Sequence, residues 1–170
     1  SDLNIDATIS CFGYSDGAIS VSTQGGMPVY EYNWSTLNFW STTVNSINNL
    51  SAGGYALTTR DALGCTVVDS IDLSEPTPVY VSAAEILEAS CYNVQDASAY
   101  AVGVGGTLPY FFLWEHLITG HIFLELSSND SNIVNTLFAG EWRVSLIDAK
   151  GCTSAYDTVM IHQPDELVVT

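Results

Sequence analysis

The chain has 170 residues, 19 acidic side chains against 3 basic ones, and a formal net charge of -16 at pH 7. One lysine (Lys150) and two arginines (Arg60, Arg143) cannot neutralise a row of phosphates, which excludes nucleic acid and anionic membrane surfaces as partners. The 47% hydrophobic content is too high for a disordered chain, and the longest uncharged stretch, Ala97 to Trp114, carries Gly103, Gly105, Gly106 and Pro109, so no membrane insertion is expected.

In chain order, Ser1 opens without a basic-then-apolar leader, which fits a processed or excised segment. Leu3, Ile5, Ala7 and Ile9 alternate with polar neighbours, as do Ile19, Val21 and Thr23, and then Tyr30, Tyr32 and Trp34. Period-two alternation of this kind predicts half-buried strands. Asp61-Ala62-Leu63-Gly64 predicts a tight hairpin, with Asp at the first corner and Gly at a left-handed position.

From Cys91 the pattern starts again. Cys11 to Trp34 recurs as Cys91 to Trp114 at an offset of 80, with Gly25-Gly26 on Gly105-Gly106 and Tyr30 on Tyr110. After a slip of seven residues, Leu50 to Tyr55 matches Leu137 to Trp142, and Asp61 to Thr66 matches Asp148 to Thr153. Ser82 to Glu88 is helical in composition but occupies the place of the first strand, so the repeat predicts a strand there. The copies close on Pro76 and Pro164, giving domains 1–78 and 79–164, and 165–170 reads as the start of a following copy. Six or seven short strands in roughly 80 residues predict an all-β chain of two tandem immunoglobulin-like antiparallel β-sandwiches.

The set Cys11-Phe12-Gly13, Asp16-Gly17, Gly25-Gly26, Tyr30, Tyr32, Trp34, Leu50, Gly53, Tyr55, Asp61, Gly64-Cys65 and Pro76 resembles the SprB repeat, a family found in very large surface adhesins of gliding bacteria of the Bacteroidetes type. Copy two departs from it at Asn93, Ala97 and Trp142. The resemblance implies an extracellular, cell-surface protein without enzyme activity, exported by the type IX secretion system and moved with the gliding machinery. Its implied partners are external surfaces or polysaccharide and neighbouring repeats of the same chain.

Four cysteines allow three pairings, and a domain complete in itself favours Cys11 with Cys65 and Cys91 with Cys152. Zinc is disfavoured, because no Cys-x-x-Cys occurs and the three histidines all fall in copy two. Leu-x-x-Gly-x-Tyr is similar to the tyrosine corner of immunoglobulin-like domains, with Trp142 offering an indole N–H in place of the Tyr55 hydroxyl. Trp34 and Trp114 are read as core residues.

No cofactor is expected: the oxygen-rich turn Asn129, Asp130 and Asn132 is a candidate calcium loop, and a solvated surface is the favoured reading of it. Gly13-Tyr14-Ser15-Asp16-Gly17 spells a hydrolase elbow, but between two strands and without a counterpart serine in copy two. Asp69-Ser70-Ile71 and Asp157-Thr158-Val159 look like Bacteroidetes O-glycosylation acceptors, at Ser70 and Thr158. Phe39, Trp40, His121 and Phe123 fall where the copies differ in length, and exposed rings there would suit a carbohydrate-binding module. Finally, the positions matching Ile19, Val21 and Thr23 are Ala99, Ala101 and Gly103, so volume is missing from core two; Phe112, Phe123 or Phe138 is expected to fill it.

Overall fold

The computed structural model describes residues 1–37 and 39–169, and these divide into two compact units, Ser1–Pro76 and Thr77–Thr170. The described secondary structure is all β.

Unit one contains β1 (Asp2–Ala7), β2 (Gly17–Ser22), β3 (Glu31–Trp34), β4 (Ser46–Leu50), β5 (Gly53–Arg60) and β6 (Thr66–Leu73). One sheet runs β1-β2-β4 and the other β3-β5-β6, with antiparallel pairing throughout. The alternating positions meet between the sheets: Ile19, Val21 and Ile47 come from the first, and Tyr32, Trp34, Tyr55 and Leu57 from the second. Such an apolar layer between two half-buried sheets is the core of a β-sandwich.

Unit two contains β7 (Tyr80–Leu87), β8 (Ala97–Val104), β9 (Tyr110–His116), β10 (Ile122–Ser127), β11 (Ser131–Leu137), β12 (Gly140–Ile147) and β13 (Asp157–Ile161). Its sheets run β11-β8-β7 and β10-β9-β12-β13. The helical-looking segment is strand β7, paired with β8. Even a detail recurs: β1 is interrupted between Ile5 and Ala7, and β7 between Glu85 and Leu87, at matching positions. The extra length in copy two builds β10, an edge strand paired with β9 that unit one lacks among its described strands.

The register of β8 is the expected one. Ala97, Ala99 and Ala101 are fully buried with Gly103, while Tyr100 and Val104 face out. Phe112 is fully buried in that core, whereas Phe123 and Phe138 are half-buried and pack on Trp142. A further filler is Leu146, which takes the place of Thr59 and whose δ-methyl lies 2.6 Å from where a Cβ on Gly103 would stand. The Thr23 and Thr59 pair of unit one has become a Gly103 and Leu146 pair, conserving volume across the sheets.

Residues 162–169 form no strand, and Leu167, Val168 and Val169 are exposed. Thr170, the last residue of the segment expected to open a further copy, lies outside the described residues.

Candidate functional site

What recurs between the units is a set of clamps at the two ends of each sandwich. At the end where the first strand begins, the hairpin after β5 is held by one carboxylate. Asp61 accepts backbone N–H bonds from Leu63 (3.0 Å), Cys65 (2.8 Å) and, across the loop, Met27 (3.0 Å). Asp148 does the same with Lys150, Cys152 and Thr107, at 2.9, 2.8 and 2.8 Å. Gly64 and Gly151 close both turns at φ of 87° and 84°, in the left-handed region that glycine adopts without a Cβ penalty. The bond from Met27, with those from Cys65 and Leu63, outweighs desolvation and holds the Asp61 carboxyl below the usual carboxylate range.

At the opposite end, where the last strand leaves, Asp16 accepts bonds from the Ser10 side chain and backbone, as Asp96 does from Ser90. Those serine bonds lower both acids. The Cys11 turn is tied past the end of β6 by Gly13 N donating to Glu75 Oε2 (2.6 Å). The Cys91 turn is tied past the end of β13 by Asn93 N donating to Gln163 Oε1 (2.9 Å). Asn93, which replaces Gly13, keeps its left-handed conformation at φ 59° against 75°. Asparagine tolerates that region better than most residues.

This geometry overturns the expected cysteine pairs. Cys65 and Cys91 are exposed free thiols, while Cys11 and Cys152 are disulfide-bonded and buried. Neither Cys11 with Cys65 nor Cys91 with Cys152 forms. The reason is distance: Cys11 lies at the end where β6 finishes and Cys65 just before β6 starts. Eight extended residues separate those ends by about 25 Å, whereas a disulfide needs Cα atoms within about 7 Å. β13 separates Cys91 from Cys152 in the same sense.

The corner residues behave alike despite their different chemistry. Tyr55 OH donates to the Ser51 carbonyl (2.8 Å) and Trp142 Nε1 to the Phe138 carbonyl (3.0 Å), each four residues upstream. Trp34 and Trp114 are buried core residues, and their indoles donate to the Val44 carbonyl and to Asn132 Oδ1, each at 3.0 Å. On the outer face, Arg60 forks onto Glu31 and Arg143 onto Glu115, directly across paired strands.

The remaining candidates are scattered. Asn129 and Asp130 lie at the turn between β10 and β11, but Asn132 is already in β11, where its side-chain oxygen accepts from the Trp114 indole. Among the described residues, no cluster of three His, Cys, Asp or Glu side chains is placed to hold a metal. Ser70 and Thr158 are exposed on the last strands at one register position, opposite Ala56 and Arg143. Ser15 sits in the connection from β1 to β2, with a strand following it. Phe39 is 55% exposed, and the Arg60 guanidinium covers the Trp40 ring at 4.3 Å. Phe123 stacks on Trp142 at 5.5 Å, with exposed His121 edge-on to it.

Two features escape sequence reading. β10 turns Ile122, Leu124 and Leu126 outward beside half-buried Phe111 and Leu113, an apolar row on an edge strand. His116 is buried against the Ala139-Gly140 backbone, with Nδ1 accepting from Thr119 N (3.1 Å) and Nε2 lacking a hydrogen bond of normal geometry. Desolvation, reinforced by His121, lowers its pKa below 6.5 against a bond from the ring to Ala139. The alternation that runs through β9 marked position 116 as inward and was the available signal.

The SprB repeat family model matches residues 8–39. A search of curated proteins gives no match. Among solved structures, the chain is similar to a C-terminal 282-residue fragment of intimin in complex with the intimin-binding domain of its translocated receptor, at 15% identity and TM-score 0.45; this covers 95% of the chain and 63% of the fragment. It is similar to the IgVJ-C2 molecule of amphioxus at 14% identity and TM-score 0.34, over 91% of this chain and 98% of that one. A BSP domain of a biofilm-associated protein aligns at 12% identity and TM-score 0.33, over 96% of this chain and 29% of that one.

Proposed function

We propose that the chain is a non-catalytic segment of the repeat array of a secreted cell-surface adhesin. The observation that carries this reading is what the repeat preserves: the Asp61 and Asp148 clamps, the Tyr55 and Trp142 corners and the Arg–Glu ladder pairs all fix loops and register. The segment that differs in length adds exposed Phe39 in copy one and the outward Ile122, Leu124 and Leu126 row in copy two. That division suits links that hold shape while individual copies vary the surface they present. Adhesion then sums many weak contacts along an array, and the family match at 8–39 supports the same class of protein.

In its finer form the reading has the parent protein exported by type IX secretion and moved along the cell during gliding, gripping external surfaces or polysaccharide. Particles coated with antibody to the chain are expected to travel along gliding cells, and the label to vanish in a secretion-deficient strain. Label that persists on such a strain contradicts the export route. Ser70 and Thr158 are the proposed glycan acceptors; native protein without hexose-sized mass additions at either refutes that assignment.

Exposed Phe39 favours a second reading, a carbohydrate-binding module. Saturable quenching of tryptophan fluorescence by polysaccharide supports it, and a flat titration removes it.

A further inference from the structure

Each unit keeps its two cysteines at opposite ends, so neither can staple its own sandwich. The two free thiols are also not equivalent to plain surface residues. Cys91 is the repeat counterpart of Cys11, and Cys65 of Cys152, and both counterparts are disulfide-bonded and buried. Both free thiols border a depression. Cys65 lines an open cleft of ≈ 160 Å³ with Ser1, Gly25, Gly26 and Tyr30, at the end where the first strand enters. Cys91 lines one of ≈ 340 Å³ with Tyr92, Pro164 and Leu167, at the end where the chain leaves the last strand.

We propose that Cys65 and Cys91 are the open halves of disulfides between successive repeats: Cys65 bonds the first cysteine of a preceding copy, and Cys91 the second cysteine of a following copy. The occupant of each cleft is therefore another copy of this repeat. Chain connectivity selects the pairing, because the exit end of any repeat leads into the entry end of the next. The exit end carries the first cysteine and the entry end the second.

The bond forms by two thiol–disulfide exchanges with a small disulfide such as oxidised glutathione. One cysteine thiolate attacks that disulfide, giving a mixed disulfide and one released thiol. The second cysteine then attacks the protein sulfur and releases the other thiol, so two cysteine thiols are oxidised and one small disulfide is reduced. An extracellular compartment supplies such conditions. The proposal rests on the array reading above, but its failure would leave surface location and adhesion untouched.

The test joins two copies of the chain so that residue 168 of the first precedes Ser1 of the second, which keeps the repeat register set by Pro76 and Pro164. After oxidative refolding with glutathione, alkylation and non-reducing peptide mapping are expected to find the first copy's Cys91 bonded to the second copy's Cys65, with only the outermost Cys65 and Cys91 alkylated. Alkylation of both junction cysteines, or a bond from either to a cysteine of its own repeat, overturns the proposal. Should the joined protein not fold, the 170-residue C65S and C91S variants are oxidised together. A mixed disulfide dimer well above the statistical share supports the pairing, and a statistical mixture overturns it.

Discussion

Thr59 is buried in the core of unit one, and its hydroxyl has no partner among the described residues. Replacing it by the near-isosteric valine removes a desolvated polar group and is expected to stabilise unit one by about 1 kcal/mol in urea unfolding. Asp148 is the opposite case: it is 2% exposed and accepts three backbone bonds. Asp148→Ala strands those donors and is expected to cost about 3 kcal/mol or more, with the loss confined to the unit-two transition. His116 gives that unit a pH dependence. Its folded pKa lies below 6.5, so the unfolded chain takes up the proton first; stability is complete above about pH 6.5 and falls as pH drops below it. The urea midpoint of unit two should therefore fall between pH 7.5 and pH 5, and His116→Gln should flatten that change. Trp34, Trp114 and the two corner residues were legible in the sequence because they recur at fixed spacing. The buried histidine at position 116 was not, because copy one holds Thr36 there and offers no comparison.

Most strands announce themselves by alternation, and the repeat decides the doubtful one, β7. β10 does not, since nothing in copy one corresponds to it and its apolar residues face outward on an edge, against the usual pattern. The cysteine pairing differs from the one the spacing predicts for a topological reason. Cys11 precedes β2 and Cys65 precedes β6, and in the folded unit these strands start at opposite ends; spacing along the chain does not reveal this, whereas following the strand reversals does. The Gly103 and Leu146 exchange is a claim about two facing strands, β8 and β12. Gly103→Thr alone drives a side chain into Leu146 and Tyr110 and is expected to cost about 2 kcal/mol. Leu146→Thr alone leaves a cavity of comparable cost. The double variant restores the unit-one pair and should lose less than the sum of the two, which a double-mutant cycle on urea unfolding measures.

Across the whole molecule the charge is not a tail: residues 1–78 carry -7 and 79–170 carry -9. Repeated along an array, that charge makes successive links repel, an effect reaching only about 8 Å at physiological salt and further in dilute media. The hydrodynamic radius of a multi-repeat protein is expected to shrink as salt rises from low to molar concentration. The fold and the family resemblance were legible from the repeat, whereas the outward apolar row of β10 was not, because the segment that builds it has no counterpart in copy one. The central claim is that this chain is displayed outside the cell as an adhesin link. Its most direct measurement is antibody labelling of intact cells of the source organism, before and after external protease. The account predicts label on unpermeabilised cells that protease removes; label appearing only after permeabilisation contradicts it.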